Sequence, residues 1–103
     1  MPSRARNEVV VILWRDIPAQ VNGQSGRERH QVLLDPRFQR AIDRAKRKAR
    51  IVTAQEDVAQ WRRVSTPCDG DPALAAAEAA RRLEAEYSDQ RLGTIAYNGG
   101  VDA

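Results

Sequence analysis

The first strong apolar run is Val9 to Trp14, closed on either side by Glu8 and Arg15. It is rich in β-branched residues and too short for a helix, which predicts a buried strand over 8–15. Pro18 has no N–H for a sheet ladder and biases Ile17 to extended backbone, so Asp16-Ile17-Pro18 should end that strand. A second strand is expected over 29–34. Between them, 16–28 reads as a long irregular connection, with Asn22-Gly23-Gln24-Ser25-Gly26 as its turn signal.

From Asp35 the period changes. Asp35-Pro36 pairs an N-cap acid with proline at the first helical position. Phe38, Ala41, Ile42, Ala45 and Ala49 then form one apolar stripe, predicting a helix over 36–50. Thr53-Ala54-Gln55-Glu56 is a capping box and opens a second helix to about Arg63, with Val58 and Trp61 on one face. Asp71-Pro72 starts a third helix, reaching about Tyr87, with Leu74, Ala76, Ala80, Leu83 and Tyr87 inward. Gly93 interrupts the pattern, and Thr94 to Tyr97 read as a last short strand. The expected order is β-β-α-α-α-β: an α+β fold with a small antiparallel sheet and helices on one face.

Composition narrows the class. With 103 residues the chain is sized for one domain, expected over 8–97 between a disordered tail at 1–7 and a flexible one at 98–103. The single cysteine, Cys68, excludes an intramolecular disulfide and a cysteine-based metal site within one chain. The Val9–Trp14 run is too short for a signal-peptide core or a membrane span, so a cytoplasmic location is expected, without membrane contact. The net charge of +3 conceals a polarity: residues 1–63 sum to +7 and residues 64–103 to −4. Such a distribution steers a charged partner or is satisfied within the fold.

Three places carry chemistry worth following. At the end of the first strand, Arg15 offers a planar fork for carboxylate or phosphate, Asp16 sits beside it, and Gln20 adds a neutral donor and acceptor. With Arg27 beyond the glycine-containing loop, these four form the candidate ligand or partner site. The competing reading is a strand end, with Trp14 in the core and Arg15 and Asp16 paired at the surface. The loop 23–27 lacks the ending of a phosphate-binding P-loop, and its expected flanks are strands rather than the helices of a KH domain.

The second place is the basic face of the first helix: Arg37, Arg40, Arg44, Lys46, Arg47, Lys48 and Arg50. Nucleic-acid binding requires such a footprint, but no aromatic residue interleaves it, and a solvated face or one docked on acidic protein explains it equally well. The third comprises His30 and Cys68. Neither has a placed catalytic partner, and the acid beside Cys68 opposes thiolate formation. No metal-ligand or cofactor signature is present, so no cofactor is expected.

The run Trp14-Arg15-Asp16-Ile17-Pro18-Ala19-Gln20-Val21, with Gly23, Gly26-Arg27, Arg37-Phe38, Ala41-Ile42-Asp43 and Trp61-Arg62, resembles the small bacterial virulence factor domain over residues 8–63. That domain also occurs fused to HEAT-like repeats in conserved virulence factor C, and this sequence lacks those repeats. The resemblance implies an accessory or subunit role, with stand-alone members associated with folate- and corrinoid-dependent one-carbon enzymes. It implies little chemistry, because the family name describes a phenotype. The expectation is a non-catalytic protein-interaction module with a protein partner. The alternatives are a nucleic-acid-binding regulator using helix 36–50 and a protein that binds an anionic small molecule.

Overall fold

The computed structural model describes residues 7–102. The apolar run forms strand β1 (Asn7–Trp14). It is followed not by a long loop but by a second strand, β2 (Ile17–Ser25), joined through the two-residue turn Arg15-Asp16. A further turn at Gly26-Arg27 leads into β3 (Glu28–Leu33). The expected irregular connection is thus mostly strand, and only Gly26, at φ 61°, supplies the turn read into 22–26. Pro18 is accommodated where the β1–β2 register shifts, opposite Leu13. A proline needs such an irregularity, since it cannot fill a regular ladder position.

Helix α1 (Pro36–Lys48) starts at the Asp35 cap and buries Phe38, Ala41, Ile42 and Ala45, the expected stripe. The Thr53–Glu56 capping box is formed, but the helix it opens, α2 (Ala54–Val58), lasts barely more than a turn. The chain then enters β4 (Trp61–Pro67), where the second helix had been expected to continue. Val58 does not share a buried face with Trp61 and is 69% exposed. The reason is non-local: Trp61 lies opposite Trp14 in the β1–β4 register, a pairing that outweighs local helix propensity.

Helix α3 (Pro72–Glu86) begins at Asp71 as expected, but buries Ala76, Ala79 and Ala80 and leaves Leu74 exposed. The last expected strand is instead α4 (Asp89–Tyr97), capped by Ser88 and burying Leu92, Ile95 and Ala96. The observed order is β-β-β-α-α-β-α-α.

All four strands join one antiparallel sheet in the order β3-β2-β1-β4. A single core cluster links Trp14, Ile17 and Val21 of the sheet to the apolar sides of α1, α3 and α4, confirming an α+β fold with helices on one face. Gly23 shows how tightly α3 is applied: a Cβ there would lie 2.1 Å from the Pro72 carbonyl oxygen. On the other face, strand alternation sets out the polar row Gln20, Asn22 and Gln24. Of the expected N-terminal tail, only Asn7 lies within the described residues, and it opens β1. No helix among the described residues is long and apolar enough to cross a membrane.

Candidate functional site

Arg15 and Asp16 form a structural clasp. Arg15 occupies the left-handed region at φ 52°, a conformation that disfavours a side chain with a Cβ. Its backbone N–H donates to the Gln60 carbonyl at 3.0 Å. Its side chain donates from Nε to Gln60 Oε1 at 3.0 Å and from Nη1 to the Gly99 carbonyl at 2.9 Å, while the guanidinium stacks 5.1 Å from the Trp14 ring centre. Asp16 accepts from Arg62 at 3.1 Å and from the Asp102 N–H at 2.7 Å, and its own N–H donates to the Gly100 carbonyl at 2.9 Å.

Residues 98–102, expected as a loose tail, are therefore held against the β1–β2 turn. Gly100, at φ 95°, lies where a Cβ would come 2.8 Å from the Trp14 ring.

The four residues of the proposed anion site do not converge. Arg27 sits in the exposed turn at the opposite end of the nine-residue β2, a separation on the order of 30 Å along the strand. Gln20 lies on the open sheet face, where it accepts from Gln31 at 2.9 Å and approaches Asn22 at 3.4 Å. The geometry therefore supports Arg15 and Asp16 as a clasp and gives no common pocket with Arg27.

The basic helix divides in the same way. Arg37 donates to the carbonyls of Tyr87 and Glu84, tying α1 to the α3–α4 junction. Lys46 pairs with Asp57 at 2.9 Å, and the same Asp57 oxygen accepts from Trp14 Nε1 at 2.9 Å. The Lys46 contact holds the Asp57 carboxyl below its ordinary value, against a smaller opposing effect of burial. Lys48 lies 4.4 Å from the Tyr97 ring centre. Arg40, Arg44, Arg47 and Arg50 are exposed, and their side chains make no hydrogen bond or ion pair within the described residues.

The feature that the sequence did not disclose is the outer edge of β4. Two backbone bonds fix its parity: the Cys68 N–H donates to the Asn7 carbonyl, and the Arg15 N–H to the Gln60 carbonyl, each at 3.0 Å. In an antiparallel ladder, bonded pairs recur every second residue. Arg62, Val64 and Thr66 therefore bond to β1. Arg63 and Ser65 turn their N–H and C=O groups outward, and both residues are exposed.

Beside this edge lies a cleft of about 450 Å³ between β4 and α3. Val9, Val11 and Ala79 are among its apolar walls, and Asp69, Glu78, Glu86 and Arg82 among its charged ones. Val64 is 43% exposed at the adjoining edge. Cys68 also borders the cleft and is a free thiol. The described residues contain no group of three or more His, Cys, Asp or Glu side chains able to hold a metal ion.

The virulence factor family model matches residues 12–96, from the end of β1 through α4. The chain belongs to the virulence factor family. The match extends well past Arg63, where the resemblance in the sequence had stopped, and takes in β4, α3 and α4. The Arg15-Asp16 clasp, the β4 edge and the cleft all lie largely inside the segment this family shares. No curated protein and no solved structure gives a significant match.

Proposed function

We propose that this virulence factor family chain is a non-catalytic protein-interaction module, an accessory subunit of a larger bacterial assembly. It adds an extended segment of its partner to the free edge of β4. The observation that carries this reading is the pair of outward-facing residues, Arg63 and Ser65, beside a preformed cleft. Strand addition uses these elements: backbone bonds supply affinity, and a neighbouring pocket selects alternate side chains. Three carboxylates and one guanidinium at the cleft favour a partner segment with a basic side chain directed towards α3.

Nucleic-acid binding through α1 has less support, because Arg37, Lys46 and Lys48 already have partners or ring contacts within the fold. The test is affinity capture from the bacterial host at low salt, with wild type and Ser65→Pro. The Ser65 N–H faces away from β1, so proline there removes an edge donor without breaking the β1 ladder. A partner retained by wild type and lost by the folded variant is expected. Equal retention by both rejects the β4 edge as the docking site.

A further inference from the structure

On a different face from β4, α1 and α4 enclose a groove of about 190 Å³ lined in part by Arg37, Arg40, Arg44, Ala41, Asp89 and Gly93. We propose that this groove binds a phosphate monoester dianion.

Two independent features point there, and each weakens the fold. Arg40 and Arg44 stand one helical turn apart, exposed, with no carboxylate partner among the described residues. Like charges at this spacing repel and destabilise a helix. Gly93 lies inside α4, where glycine is a poor helix former. No special geometry calls for it: its φ is not in the positive range, and a Cβ would meet nothing within 4 Å. The fold has no use for a glycine at Gly93, but a ligand entering the groove does, because the missing Cβ leaves the helix backbone open to close approach.

The groove is also preorganised. Arg37 is fixed by the Tyr87 and Glu84 carbonyls, and its Nη1 lies 3.5 Å from Asp89. Asp89 offsets the charge of Arg37, so the surplus of two positive charges belongs to Arg40 and Arg44, unpaired among the described residues. A phosphate monoester carries between about 1.5 and 2 negative charges at neutral pH, and arginine forks match its oxygens bidentately. The groove holds one such group, whether inorganic phosphate or the terminal phosphate of a small metabolite.

The test is an amide NMR titration of the full chain with sodium phosphate and with adenosine 5′-monophosphate. Sodium chloride at equal ionic strength is the reference, and single-stranded DNA supplies diesters. Saturable shifts centred on Arg40, Arg44 and Gly93 are expected with at least one monoester; comparison of the two identifies the source. Arg44→Gln should weaken binding by about tenfold or more. Gly93→Ala should weaken it comparably while raising the melting temperature, the opposite directions expected of a residue kept for a ligand. The proposal is overturned if neither monoester saturates, if DNA alone binds, or if Gly93→Ala raises stability and leaves binding unchanged.

Discussion

Replacing Arg15 with alanine separates its role as a clasp from a role in binding. The side chain makes two hydrogen bonds, to Gln60 and to the Gly99 carbonyl, and stacks on Trp14. Bonds to a charged group contribute about 1.5–3 kcal/mol each when well buried. Both are only part-buried here, so the low end applies. The ring contact adds about 0.5–1 kcal/mol. Arg15→Ala should therefore cost about 3.5–4 kcal/mol, a large share of a typical stability of about 5–15 kcal/mol.

Arg15→Gly loses the same contacts but relieves the positive φ, recovering about 1 kcal/mol. Glycine should thus be the milder substitution, against its usual ranking in sheets. Urea denaturation followed by tryptophan fluorescence and circular dichroism measures both variants. A loss below about 1 kcal/mol for alanine, or a greater loss for glycine, would refute the clasp.

Gly23→Ala should destabilise by about 1–3 kcal/mol or more, because its Cβ would overlap the Pro72 carbonyl and α3 must shift; thermal unfolding checks this. Asp57, with its folded pKa lowered mainly by Lys46, contributes stability that is full above its unfolded value of about 4 and is lost as pH falls through the folded value. Asp57→Asn should therefore flatten the stability profile below about pH 4, and an unchanged acid limb in pH-dependent denaturation would count against this pairing. Val64→Pro should unfold the β1–β4 ladder where Ser65→Pro does not, since the two N–H groups face opposite ways; circular dichroism of the pair reads the difference.

Helix α1, the starts of α2 and α3, and β1 were legible because their signals are local: acid-proline caps, a capping box, one apolar stripe and a β-branched run. Strand β2 was not, because Gly23 interrupts its inward row exactly where α3 needs the space, and Gln20, Asn22 and Gln24 resemble loop residues. Strand β4 was hidden by a genuine capping box and by the polar, exposed composition of an edge strand. Its stabilising partner, Trp14, lies far away in sequence. In α4, Gly93 and the β-branched Thr94-Ile95 imitate a strand, while burial of Leu92, Ile95 and Ala96 maintains the helix.

The sequence marked Arg15 and Asp16 as candidate binding residues with a structural pairing as the rival reading; their contacts here are structural, and the partners, Gln60, Gly99, Arg62 and Asp102, are distant along the chain. The edge of β4 was invisible for the same reason: its parity depends on the pairing of residues separated by most of the molecule.

Residue-resolved amide exchange along β4, with and without the captured partner, tests the central claim most directly. In the free protein the amides of Arg62 and Val64 should be protected, and those of Arg63 and Ser65 should exchange rapidly. On partner binding, Arg63 and Ser65 should become slow. Protection of Arg63 and Ser65 before any partner is added, or their continued rapid exchange in the complex, would contradict strand addition at this edge.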